Sequence, residues 1–125
     1  MVKTKAAEVE MRDNGIVYLN FPDPGLEINK EMALEILHAR ISFSPPGTKQ
    51  LVLVDLSTNP KPDKEARDIA KSEEMVHATK ALALIGNNSF SRILGNLFLG
   101  FSKGNFPVKL FSTEEEATEW LLNVE

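Results

Sequence analysis

The sequence predicts an α/β protein: a mostly parallel five-stranded sheet with an antiparallel N-terminal hairpin and about four helices. Three observations predict it. Two short runs, Leu51 to Leu56 and Lys80 to Ile85, are apolar almost throughout, as strands buried on both faces are. Segments of helical period follow the strands in turn, and that alternation builds parallel sheets through right-handed crossovers. Ahead of them, Asp13-Asn14-Gly15 joins two strand-like stretches in a tight turn, and Asn-Gly readily takes the positive φ that such hairpins need.

The elements follow in order. Val9 and Met11 belong to the first hairpin strand and Ile16 to Phe21 to the second, which Pro22-Asp23-Pro24-Gly25 ends. Asn29 is placed to cap a helix from Lys30 to about Phe43. On its wheel Met32, Ile36, Ala39 and Phe43 form one apolar stripe, and Leu34, Leu37 and Ile41 form a second, nearly opposite. A surface helix needs one stripe. The second meets a neighbouring element, a bound ligand or another subunit. After the Leu51 strand, Asp63 caps a helix from Lys64 to about Glu74, largely solvated, with Ala66, Ile69 and Ala70 as its apolar face. Gly86-Asn87-Asn88-Ser89 then leads into a helix from Phe90 to Phe101. A last strand runs from Phe106 to Phe111, with Pro107 marking an edge or a strand start. Ser112 and Glu115 form a capping box for a final helix that buries Ala117, Trp120, Leu121 and Val124.

The chain has 125 residues, the size of one domain, and no internal repeat or linker divides residues 1–125. At that length folding buries roughly two-thirds of the unfolded chain's surface, so one core suffices without staples. A net charge of −4 gives no electrostatic footprint for nucleic acid and disfavours acidic membranes. The absence of cysteine removes disulfides, thiol catalysis and thiolate metal sites. There is no long apolar N-terminal region and no run approaching the roughly 20 residues of a membrane span. The expectation is a cytoplasmic protein with no membrane insertion, no metal and no cofactor.

The last third carries a resemblance. Ala81-Leu82-Ala83-Leu84-Ile85 with Asn88, then Arg92 to Phe98, then the close Val108-Lys109-Leu110-Phe111-Ser112-Thr113-Glu114-Glu115-Glu116-Ala117-Thr118-Glu119-Trp120-Leu121, resembles small uncharacterised bacterial STAS-like proteins. The resemblance implies the fold of the anti-sigma-factor antagonists, more distantly that of CRAL-TRIO-type lipid-transfer domains, and a regulatory role exerted through protein partners. In the antagonists a switch serine opens a helix in an Asp-Ser-Ser-Gly-type stretch. The comparable junction here reads Asp55-Leu56-Ser57-Thr58-Asn59-Pro60, without Ser-Ser-Gly, and its helix starts later, near Asp63.

That junction is the best polar candidate. Asp55 ends an apolar strand, where ligands of parallel sheets gather, and a carboxylate there can orient a ligand. It equally serves as an acceptor for backbone N–H groups of the loop. Ser57 and Thr58 are candidate phosphate acceptors, and with Asn59 they complete the loop. His38 and His77 lack partners in sequence for a metal or a catalytic triad. No catalytic constellation is visible. The apolar surplus makes Leu34, Leu37, Ile41 and Leu99 candidates for an interface, and Phe90, Phe98 and Phe101 candidates for an apolar pocket. The leading expectation is a non-enzymatic regulatory or protein-interaction module, a homodimer or bound to an unidentified protein partner. The alternative is a carrier or sensor of a small apolar or lipid-like ligand.

Overall fold

The computed structural model describes residues 1–86 and 106–124. Strands β1 (Val2–Lys3), β2 (Glu8–Met11) and β3 (Ile16–Asn20) lead to β4 (Glu27–Ile28) and helix α1 (Lys30–Ile41). Strands β5 (Gln50–Asp55) and β6 (Lys61–Pro62) precede helices α2 (Lys64–Ala70) and α3 (Glu73–Ala78). Strand β7 (Thr79–Ile85), strand β8 (Val108–Phe111) and the final helix α4 (Glu114–Leu122) complete the described elements.

The main sheet has six strands, ordered β1-β2-β3-β5-β7-β8. The first three are antiparallel neighbours, and β3, β5, β7 and β8 run parallel. The strand beyond the five expected is β1. Val2 and Lys3 fold back on Val9 and Glu8 because Thr4 closes a turn, its Oγ1 donating to the Ala7 carbonyl at 2.9 Å. A two-residue strand leaves no periodicity to read. The same holds for β4 and β6, which form a separate parallel ladder.

Within the first hairpin, Gly15 alone supplies the positive φ, +85°. Asn14 instead accepts the Ile16 N–H through its side chain at 3.1 Å. The expected helix from Lys64 to Glu74 is two helices. Ser72 accepts the Met75 N–H at 3.3 Å and so starts α3 anew, a side-chain capping bond that competes with helix continuation. The final cap lies one residue beyond the expected Ser112–Glu115 pair. Thr113 accepts the Glu116 N–H at 3.2 Å and donates its hydroxyl to the Glu116 carboxylate at 3.0 Å. Asn29 and Asp63 cap α1 and α2 as read, each accepting an N–H at 2.9 Å.

Strand period two divides the core into two layers. Val17, Leu19, Val52, Leu82 and Leu84 face α1, α2 and α3, while Ile16, Leu53, Ala81 and Ala83 face α4. The uninterrupted apolar runs of β5 and β7 thus arise from cover on both faces. Ala81 and Ala83 present only methyl groups toward α4, which leaves room for Ala117 and Leu121 to bury completely.

Candidate functional site: an apolar cavity with a buried arginine

Between the helical layer and the first face of the sheet lies a cavity of about 150 Å³. Its origin is legible in residue sizes. Ala33 of α1 and Ala66 and Ala70 of α2 all line it, where Leu at any of these positions would fill space. Leu37 and Ile69 form its helical wall, Val52 and Leu82 its floor, and Ile28, Pro60 and Pro62 around the β4–β6 ladder its rim. Apart from Arg40, every described side chain that lines it is apolar.

Arg40 sits in the last turn of α1 and is 1% exposed. Its Nε donates to Gln50 Oε1 at 2.9 Å, and its Nη2 donates to the Ala78 carbonyl at 2.7 Å and to Thr79 Oγ1 at 2.8 Å. Gln50 answers with its own amide, donating to the Arg40 carbonyl at 2.7 Å. Nη1 faces the sulfur of Met75 at 2.9 Å, a weak acceptor. Among the described residues no carboxylate lies within ion-pairing distance of the guanidinium. Burial pulls its pKa down to about 10, which leaves it charged at neutral pH. Sequence reading passed over Arg40. The signal was there: it falls in the apolar arc of α1, four residues from Ile36 and three from Leu37 and Phe43.

The polar junction lies apart from this cavity. Val52 and Val54 point toward the cavity, so Asp55 points to the opposite face. Its Oδ1 accepts the Ser57 N–H at 2.9 Å and its Oδ2 the Tyr18 hydroxyl at 3.3 Å. The Arg12 guanidinium stacks 3.9 Å from the centre of the Tyr18 ring and pairs with Glu10 and Glu114. Burial first, then the Asp55 and Glu114 carboxylates, push the Tyr18 phenol up to about 12. Thr58 donates its hydroxyl to the Phe21 carbonyl at 2.7 Å, Asn59 adopts φ +56°, and Ser57 is exposed. Asp55 thereby acts as the acceptor that shapes the loop. The apolar ends of this loop, Leu56 and Pro60, do line the cavity.

Of the residues expected at an interface, Leu37 is taken up inside the fold, 3% exposed against the cavity, because α2 packs beside α1. Leu34 and Ile41 are half-buried. Leu99, Phe90, Phe98 and Phe101 lie outside the described residues, as does the Asn87-Asn88-Ser89 stretch. His38 and His77 are exposed, and His38 Nε2 lies 3.4 Å from a Glu74 carboxylate oxygen. Among the described residues no cluster of His, Asp or Glu is arranged to hold a metal ion, and no helix is long and apolar enough to cross a membrane.

Comparison with known proteins agrees with this architecture. An uncharacterised protein from Shewanella loihica PV-4, of the DUF3478 family and described as having a SpoIIAA-like fold, superposes with a TM-score of 0.66 at 14% identity, covering 97% of this chain and 98% of that one. That likeness shows the fold, which is STAS-like. A protein of unknown function from Arthrobacter sp. fb24 is 23% identical over 93% of this chain and 99% of its own, with a TM-score of 0.35. No curated protein matches the sequence. Residues 9–125 match the family described as Domain of unknown function (DUF7793), and the chain belongs to that family.

Proposed function

We propose that this domain senses or carries a small apolar molecule, which it binds in the cavity between α1, α2 and the sheet without transforming it. The cavity carries the reading. A void of about 150 Å³ costs roughly 3–4 kcal/mol relative to a filled core. Against a total stability of about 5–15 kcal/mol for an ordinary domain, that is a large loss to retain without use. Cavities of about this size, lined by Leu, Ile and Phe, stay dry and take up benzene. The Leu56–Pro60 loop borders the cavity at its apolar ends and presents Ser57 outward. Occupancy is thereby coupled to a surface that a partner can read, in keeping with the regulatory habit of STAS-like domains. The acidic, cysteine-free composition supports a cytoplasmic setting.

The test is a native mass spectrum of the protein isolated gently from its own host. The expected result is an adduct of roughly one benzene-sized to twice benzene-sized mass. A bare chain whose melting temperature is also unmoved by saturating benzene removes the reading.

A second reading, a protein-interaction module that self-associates, is favoured by Leu34. It lies half-buried in a shallow surface depression with Val2, which is 38% exposed, on the outer side of α1. A protein that stays monomeric at high concentration removes self-association.

A further inference from the structure

We infer that the ligand of this cavity is a small apolar carboxylate, its hydrocarbon part against Leu37, Val52 and Leu82 and its carboxylate at Nη1 of Arg40. The inference rests on the cavity being a binding site and adds the charge of its occupant.

Charge bookkeeping within the fold leads to it. Arg40 is 1% exposed and, among the described residues, has no carboxylate within ion-pairing distance. Residues 87–105 contain no Asp or Glu, so that stretch supplies no counter-charge either, and Glu125 follows Val124, which packs on the opposite face of the sheet. Lone charges are costly in protein interiors, and those found there are normally paired. Its neutral partners, Gln50, Ala78 and Thr79, occupy Nε and Nη2. Nη1 is left with the Met75 thioether. Arg40 and Met75 both line the cavity, so this weakest bond of the guanidinium lies at the cavity wall. A methionine side chain is flexible and unbranched, and yields readily to an arriving oxygen.

The arrangement favours an anion over a neutral molecule for a specific reason. A buried ion pair ordinarily requires two charges to leave water. Here the guanidinium has left water during folding and is held in place by its other bonds, so binding desolvates the carboxylate alone. Hydrogen bonds with a charged partner are the stronger kind. The size of the void limits the hydrocarbon part to about six carbons, which excludes a phospholipid or long-chain fatty acid held wholly within it.

The experiment titrates the full chain at neutral pH with benzoate and hexanoate, and in parallel with benzyl alcohol and hexan-1-ol, following backbone amides by NMR. The expected result is that each acid binds at least about ten-fold more tightly than its alcohol, with shifts centred on Ala33, Met75 and Leu82. In Arg40→Gln that preference is expected to vanish while alcohol binding persists. Equal affinities of acid and alcohol in the wild-type protein would overturn the carboxylate assignment and leave the cavity reading intact. Saturation by none of the four probes would overturn both. A folded Arg40→Gln that keeps the preference would show that another group receives the acid. The wild-type comparison decides the matter even where that variant does not fold.

Discussion

Among the described residues, Tyr18 and Arg40 are the two whose surroundings most alter their chemistry, and they do so on opposite faces of one sheet. The Tyr18 hydroxyl donates to Asp55 across 3.3 Å, beside a stacked Arg12. Its phenol is held up to about 12 by burial and by the carboxylates of Asp55 and Glu114. The sign follows directly. An unfolded chain releases this proton near pH 10, and the folded protein keeps it longer. The resulting stabilisation is fully present below pH 10 and is lost as pH rises from there toward 12. Tyr18 is the single tyrosine of the chain, so an ultraviolet titration of its phenol reads it alone. The expected midpoint is near 12, moving down but remaining above 10 in Asp55→Asn, since burial is the larger cause. A wild-type midpoint at the ordinary value would remove this description of the Tyr18–Asp55 pair. Arg40 differs in kind: its partners lie on β5, on α3 and on β7, so one guanidinium fastens the base of three elements.

At the scale of elements, the cavity follows from small residues on two helices that meet the same sheet face. Ala33 on α1 and Ala66 on α2 each leave a side chain's worth of space above Val52 and Leu82. The two-residue β4–β6 ladder closes the rim, fixed by the Lys61 N–H donating to the Leu26 carbonyl at 2.8 Å and the Asp63 N–H donating to the Ile28 carbonyl at 2.9 Å. Ala33→Leu is therefore expected to raise stability by about 0.5–2 kcal/mol, as cavity filling commonly does. The same change is expected to abolish binding of apolar probes, measured by denaturant titration with and without benzene. A variant less stable than wild type would mean that the space cannot accept a leucine and that the helices already touch there. The caps were readable in advance for Asn29 and Asp63, where a single favourable residue precedes a periodic run. At the last helix two capping residues stand side by side, Ser112 and Thr113, and Thr113 rather than the expected Ser112 makes the cap.

Among the described residues, the central strands are covered on both sides and β1 and β8 are the outermost strands of the sheet. Near the β1 edge, the outer face of α1 carries Leu34 among Glu31, Glu35 and His38. Leu34→Glu is expected to leave the fold in place, at a cost below about 1 kcal/mol for a half-exposed position, and to shift any dimer to monomer in sedimentation velocity. Unchanged association in a folded variant would move the interface elsewhere.

The sequence by itself determined the parallel α/β architecture, its opening hairpin and the starts of α1 and α2. Those features follow from neighbours two to four positions apart, and such spacing survives in a linear string. Asp55 and Leu56-Ser57-Thr58-Asn59 were readable as a strand end for the same reason, since the Asp55 carboxylate reaches only two residues forward to bond Ser57. The tertiary structure alone decided that the second stripe of α1 divides, with Leu37 turned inward and Leu34 outward. It alone brought Arg40 to Gln50, Ala78 and Thr79, up to 39 residues away. A cavity is the space that several distant alanines fail to fill together, and an uncompensated charge is defined by which residues are kept from it. Both are properties of packing, and no local pattern in the chain records them.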